Sequence, residues 1–360
     1  MEDNRMFDGE QAREDSGWQT ADGSEVLLSV RDLRVHFPVR GSMLDSLFSK
    51  AKPQVVKAVD GVSFDVHRGS TLALVGESGC GKTTTGRALI GLNRPTSGTI
   101  VFDGYRIESM DYEALQRLRR KMQFVFQDPY SSLNPRMTVY TTLERSMLLN
   151  HVCPKREIRD RAAELMKTVG LLPDQLSRYP HEFSGGQRQR ISIARALAVK
   201  PELIIADEPT AALDVSIQCQ VLNLLLELKE RLGLTMIFIT HDLSVVNYIA
   251  DTVAVMYLGK IMEFGHTKSV FRKPGHPYTK ALLDALPRRK ALDTRRDVKL
   301  RGSIPSPLDP PAGCALHPRC PYASGKCAVQ APEFVQRQGT KAACHLLTQT
   351  EKGERSGLMA

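Results

Sequence analysis

A chain of 360 residues, 25% charged and 42% hydrophobic, has the balance of a globular protein with room for one large domain and a small one, or for two medium domains. No stretch approaches the ~18 apolar residues of a membrane span, and residues 1–25 are acidic and polar rather than a secretory h-region, so the expected location is the cytoplasm. The formal net charge of +9 permits a nucleic acid, a membrane surface or a phosphorylated ligand as partner, but the basic run from Arg288 to Arg301 has no interleaved aromatic residues and reads as a solvated linker.

Residues 1–24 show no periodicity and are expected to form a disordered tail. Val26 to Val30 and Leu33 to Phe37 read as a strand, residues 38–53 as a loop punctuated by Gly, Ser and Pro, and Val59, Val62, Phe64 and Val66 as a second, antiparallel strand. Thr71 to Val75 is a short buried-strand pattern that runs directly into Gly76-Glu77-Ser78-Gly79-Cys80-Gly81-Lys82-Thr83, followed by a helix from Thr84. This is G-x-x-x-x-G-K-[ST] in the strand-loop-helix setting the motif requires. Its glycines let the backbone amides from Gly76 to Thr84 wrap phosphates, Lys82 offers a charge to the β and γ oxygens, and the Thr83 hydroxyl can ligate Mg²⁺. Cys80 contributes there as a small loop residue.

Met122 to Phe126 is the next apolar strand, delivering Gln127 at its exit, where the amide can cap a turn or reach a metal-bound water. Lys155 to Leu171 reads as an amphipathic helix with Ile158, Ala162, Leu165, Met166 and Val169 on one face, directed either to the core or to a partner. Ser184-Gly185-Gly186-Gln187 opens a helix that continues from Arg188 to Val199, and its free N–H groups and positive dipole end suit an anion. Leu203 to Ala206 is a wholly apolar strand ending in Asp207 and Glu208, where open parallel sheets bind ligands. Asp207 is suited to hold Mg²⁺, and Glu208 to orient or deprotonate an attacking water. Asp214 precedes a helix from Val215 to Arg231, and His241 follows the strand Thr235 to Ile239 at the γ-phosphate position. Strands over 252–257 and 260–264 are expected to close the domain.

Taken as an ordered set, these motifs resemble the nucleotide-binding domain of ABC transporters over about residues 25–270. The resemblance implies an α/β fold of the ABC P-loop ATPase type: a RecA-like parallel sheet core, an antiparallel β subdomain and a helical subdomain over about 128–200. It implies that Gln127, Glu208 and His241 are catalytic, that Gln127 joins Thr83 and Asp207 around Mg²⁺, and that Phe37 stacks on adenine. Gly76, Ser78, Gly79, Cys80, Gly81, Lys82, Thr83 and Thr84 would contact ATP, while Ser184, Gly185, Gly186, Gln187 and Asp214 would serve the nucleotide of a second ATPase chain.

The stretches Phe126 to Pro135 and His276 to Leu283 are similar to the ATPase subunits of bacterial dipeptide and oligopeptide importers. The long first loop and the run Arg120-Lys121-Met122-Gln123-Phe124-Val125-Phe126 look more like the second of the two such subunits. The implied partners are a second ATPase subunit, two transmembrane permeases and, indirectly, an extracytoplasmic solute-binding protein, with no nucleic acid, which places the chain peripherally on the cytoplasmic face of the cell membrane. A soluble ABC ATPase in DNA repair or translation is the alternative.

After a helix and basic linker over 271–310, residues 311–346 hold Cys314, Cys320, Cys327 and Cys344 and resemble that family's appended domain, with a tail over 347–360. The resemblance implies a [4Fe-4S] cluster on the four thiolates. Their spacing is not a C-x₂-C zinc pattern, yet zinc or four buried thiols remain open readings.

Overall fold

Alternating apolar residues pair the first two strands, and uninterrupted apolar runs build the central ones. The structure is a computed structural model that describes residues 25–39, 54–286, 298–337 and 339–350; the expected N-terminal tail, residues 40–53 of the first loop, the basic residues 287–297 and residues 351–360 lie outside the described residues. β1 (Val26–Pro38) and β2 (Val55–His67) pair antiparallel, with Val30 opposite Phe64. β3 (Thr71–Val75) then enters the phosphate-loop sequence, and α1 (Lys82–Leu89) follows it. β4 (Ser97–Phe102) and β5 (Tyr105–Arg106) join the first pair in a four-stranded sheet of order β2-β1-β4-β5.

α2 (Tyr112–Lys121), N-capped by Asp111, leads into β6 (Met122–Val125). The helical layer comprises α3 (Pro129–Ser132), α4 (Val139–Leu149), α5 (Ile158–Thr168) and α6 (Gly185–Leu197). The amphipathic stretch from Lys155 is not one helix: Pro154 opens a 3-10 turn over Lys155–Glu157, and the α-helix begins at Ile158. Its Ile158, Ala162, Met166 and Val169 are fully buried in the same cluster as Leu143 of α4 and Ile191 of α6, so this face is core and not a partner surface.

The chain then alternates β7 (Leu203–Asp207), α7 (Val215–Leu232), β8 (Thr235–Thr240), α8 (Leu243–Ile249) and β9 (Thr252–Tyr257). β9, β3, β8, β7 and β6 lie side by side and parallel, and β3, β7 and β8 are buried at every residue, as expected for strands covered on both faces.

β10 (Lys260–His266) returns antiparallel to β9 and is followed by α9 (Thr267–Arg272) and α10 (Pro277–Asp284). The sheet continues beyond these strands. After α11 (Gly325–Val329), β11 (Phe334–Arg337) and β12 (Thr340–Ala343) form a hairpin, α12 (His345–Thr350) follows, and β12 pairs with β10 at Glu263 opposite Ala342. The result is an eight-stranded sheet of order β11-β12-β10-β9-β3-β8-β7-β6. The cysteine-bearing segment thus shares its apolar core with the larger fold: Cys314, Ala315 and Leu316 pack in one cluster with Tyr257 and Tyr278. So few apolar residues could not form a core of their own.

Candidate functional site

The carboxyl ends of four adjacent parallel strands converge. β3 delivers the phosphate loop, β8 His241, β7 Asp207 and Glu208, and β6 Gln127. A crevice at this edge is where open α/β sheets place ligands.

The loop after β3 is shaped by close backbone approach. Gly81 has φ of 104°, and a Cβ there would stand 2.2 Å from the Ala58 carbonyl oxygen of β2, so only glycine lets the two backbones touch. Lys82 is buried, and its Nζ donates to the Gly76 carbonyl at 2.8 Å and to the Glu77 carbonyl at 3.1 Å. Among the described residues no carboxylate lies within ion-pair distance of it. A buried ammonium resting on its own loop carbonyls fits a polyphosphate, which would supply the missing counter-charge.

Thr83 and Asp207 join the two nucleotide motifs directly. The Thr83 hydroxyl donates to Asp207 Oδ1 at 2.9 Å, and Asp207 is buried. Burial pushes its carboxyl above the usual carboxylate range, opposed by the Thr83 hydrogen bond. A buried carboxylate beside a hydroxyl at the mouth of a phosphate loop is a donor pair that fits Mg²⁺.

Glu208 has φ of 45°, a left-handed conformation that a residue with a side chain adopts at some cost, with its amide donating to the Ile239 carbonyl at 2.9 Å. Its two carboxylate oxygens are shared between strands. Gln127 Nε2 donates to Oε2 at 2.9 Å, and His241 Nδ1 lies 3.2 Å from Oε1. The structure therefore brings together Lys82, Thr83, Gln127, Asp207, Glu208 and His241. Phe37 lies near the end of β1, exposed and opposite Val56, which is two residues along β2 from the Ala58 that abuts Gly81.

The serine-glycine element is elsewhere. Ser184 caps α6: its Oγ accepts from Gln187 N at 3.3 Å while Gln187 Oε1 accepts from Ser184 N at 3.0 Å, a reciprocal capping box. Ser184 and Gly185 are exposed, and Ser184 makes its hydrogen bonds inside this one turn. A Cβ on Gly186 would stand 2.3 Å from Ile217 Cγ2, so the first turn of α6 rests against that of α7, which Asp214 caps at Ile217 N. Ser184 to Gln187 and Asp214 thus sit together at the packed first turns of α6 and α7.

Several residues at the site carry no motif signal. On α6, the Arg188 guanidinium lies 3.8 Å from the Tyr130 ring centroid and Arg195 donates to the Ser132 carbonyl, tying α6 to the segment after Gln127. Glu77 is held by Tyr278 and Arg319, both remote in sequence. The four C-terminal cysteines line one pocket together with His276, His317 and His345. Burial, and then the neighbouring thiols, push Cys344 up to about 12. Among the described residues, however, no group of three His, Cys, Asp or Glu side chains is arranged to hold a metal ion, so the geometry does not support the expected cluster.

A G-x-x-x-x-G-K-T loop, a buried carboxylate and a Glu-Gln-His constellation at the ends of parallel strands, with a serine-glycine helix start packed on α7, define an ATPase of the ABC class. The family model "ABC transporter" matches residues 59–211, and "Oligopeptide/dipeptide transporter, C-terminal region" matches residues 262–327. The oligopeptide transport ATP-binding protein AppF of Bacillus subtilis is 49% identical over 331 residues, covering 91% of this chain and 99% of the relative. The dipeptide transport ATP-binding protein DppF of Escherichia coli is 48% identical over 337 residues, covering 94% and 99%. Among solved structures, cbiO1 of Clostridium perfringens, part of the ABC transporter complex cbiONQ, aligns with a TM-score of 0.58 at 31% identity over 69% of this chain and 92% of that one. The ATP-binding cassette MJ0796, solved as a dimer with ADP and Pi, aligns with a TM-score of 0.57 at 28% identity over 67% and 98%. The chain belongs to the ATP-binding subunits of the dipeptide and oligopeptide ABC transporters. These matches support the transporter reading and not the DNA-repair or translation alternative. Among the described residues no helix is long and apolar enough to cross a membrane.

Proposed function

We propose that this chain is a peripheral subunit on the cytoplasmic face of a cell membrane, where its ATP hydrolysis drives uptake of dipeptides, oligopeptides or a related solute. The observation that carries the reading is the Glu208 carboxylate, held on one oxygen by Gln127 and approached on the other by His241, at the strand ends that also present Lys82 and Thr83. Phosphoryl transfer to water asks the protein mainly for position and electrostatics. Glu208 accepts the proton of the attacking water, Gln127 and His241 fix its orientation, and Lys82 with the loop amides from Gly76 to Thr84 holds the phosphates. Thr83, Asp207 and Gln127 would hold Mg²⁺, which when bound neutralises charge on the β and γ oxygens. Phe37 stacks on the adenine.

The exposed Ser184 and Gly185, with Gly186, Gln187 and Asp214 beside them, complete the nucleotide site of a second ATPase subunit in a head-to-tail pair. The other partners are two transmembrane permeases, with a solute-binding protein acting through them; the segment from Tyr130 to Met147, which begins with an exposed tyrosine, is the docking surface. Cys314, Cys320, Cys327 and Cys344, which line one pocket, are assigned as ligands of a [4Fe-4S] cluster on the family resemblance alone, since among the described residues no metal-holding group is formed. Iron and sulfide analysis after anaerobic purification tests that assignment, and a colourless, zinc-loaded or metal-free protein would reject it.

The transport reading is tested by co-purification with two integral membrane proteins and reconstitution of the complex in liposomes. ATP-dependent uptake of a labelled peptide is expected; ATP hydrolysis without membrane partners or uptake would sink it.

A further inference from the structure

Glu77, the second residue of the phosphate loop, is held at all three of its polar groups. Its amide donates to the hydroxyl of Tyr278 at 2.9 Å. Its carbonyl accepts from Lys82 Nζ at 3.1 Å. Its carboxylate takes both arms of the Arg319 guanidinium, Nη1 to Oε2 at 2.7 Å and Nη2 to Oε1 at 3.2 Å. Tyr278 is fully buried on α10 with its ring 4.8 Å from that of Tyr257, and the Arg319 side chain is 9% exposed. The Arg319 backbone is fixed as well, its amide donating to the Leu316 carbonyl and its carbonyl accepting from Arg301 N, both at 2.9 Å. Neither residue belongs to the stretch that the ABC transporter family model matches, residues 59–211.

A carboxylate on a loop that binds polyphosphate repels its ligand unless it is neutralised. A planar guanidinium on both oxygens neutralises it and fixes its direction at once. Because the same residue's carbonyl carries the Lys82 ammonium, anything that holds Glu77 also holds the phosphate-binding lysine.

We propose that Arg319 and Tyr278 are positioning residues of the nucleotide site, through which the cysteine-bearing C-terminal segment sets the affinity of the phosphate loop for ATP. The inference rests on the loop's being the ATP site. Three variants of the full chain, Arg319→Ala, Tyr278→Phe and the double variant Arg319→Ala with Glu77→Gln, would be compared with wild type for ATP Kd, for KM and kcat of hydrolysis, and for Tm. Arg319→Ala is expected to raise Kd and KM about tenfold, with kcat at saturating ATP changed less than about twofold because Glu208, Gln127 and His241 are untouched. The double variant is expected to recover most of the lost affinity, since no lone carboxylate then faces the phosphates. A merely structural arginine would not be rescued by removing a second contact. Wild-type Kd and KM in Arg319→Ala would overturn the proposal, as would a double variant no better than the single one. If Arg319→Ala does not fold, Tyr278→Phe carries the test: it keeps the ring packing, strands the Glu77 amide, and should raise Kd several-fold, whereas a wild-type Kd refutes. A wild-type chain that binds no ATP would instead remove the nucleotide-site reading itself.

Discussion

Glu208→Gln separates chemistry from binding more cleanly than any other change at this site. The amide has the carboxylate's shape, so its oxygen still accepts from Gln127 Nε2, now 2.9 Å from Oε2, and its NH₂ can donate to His241 Nδ1, now 3.2 Å from Oε1. The backbone, with φ of 45°, is unchanged because glutamine bears that conformation no better and no worse than glutamate. Folding stability should therefore shift by no more than about 0.5 kcal/mol, and ATP Kd should stay near wild type because neither Lys82 nor the loop amides are altered. What is lost is the proton acceptor. General-base catalysis contributes roughly 10²- to 10⁴-fold, equivalent to about 3–5 kcal/mol of barrier. Steady-state phosphate release and fluorescent-nucleotide binding measured on one preparation give both numbers, and bound ATP should persist in trapped dimers of ATPase subunits. Turnover within about fivefold of wild type, with binding intact, would refute the role assigned to Glu208.

Lys82→Ala removes the buried ammonium from the Gly76 and Glu77 carbonyls and should weaken ATP binding roughly 10- to 100-fold, with unchanged Tm, measured by titration calorimetry; unaltered affinity would place the phosphates elsewhere. Ser184→Arg costs α6 its capping oxygen, about 1 kcal/mol, and should leave ATP binding at Lys82 intact while abolishing hydrolysis at the partner subunit's nucleotide in the assembled pair. Loss of this chain's own ATP binding would contradict that division. Glu263 is buried and accepts from Gly275 N at 2.7 Å and His276 N at 3.0 Å, and burial raises its carboxyl above the ordinary 4.5. A raised carboxyl binds its proton more tightly when folded, so its contribution is full below the unfolded value and is lost as pH rises through the folded one. Glu263→Gln does not titrate, so the Tm of the variant minus that of wild type should climb as pH rises from about 4.5; a flat difference would show that burial does not shift this group.

The parts of this molecule readable from the sequence are those whose cause is local. Gly81 is marked because a left-handed turn and a backbone contact with Ala58 both exclude a side chain, and Asp207 and Glu208 are marked because four apolar residues of β7 carry them to a strand end. The burial of the α5 face follows from its 3.6-residue spacing, yet its partner, the core of α4 and α6, does not. Arg319 and Glu77 are 242 residues apart, and nothing in either neighbourhood marks a pair: one reads as a basic residue in a cysteine-rich segment, the other as a variable loop position. The pairing of β12 with β10 was equally hidden. Thr340 to Ala343 has neither the length nor the branched apolar run of a strand, and its place is set by the free edge that β10 offers.

That edge pairing changes what the C-terminal segment can do. A domain joined only by a linker would move without altering β3, whereas here β12, β10 and β9 lead strand by strand to the strand that carries the phosphate loop. The Arg319 side chain then reaches the loop across the top of the same sheet, over the Tyr257 ring at 5.8 Å. A displacement of the cysteine-bearing turn must either break the bidentate bond to Glu77 or drag Glu77 with it. Breaking it leaves a buried guanidinium unpaired, a loss of about 3–5 kcal/mol, so dragging is the cheaper response for small movements, and Lys82 moves with the Glu77 carbonyl. The loop proposed to hold the phosphates is thereby continuous, through hydrogen bonds and strand pairing, with a segment that contributes no atom to the proposed cradle itself.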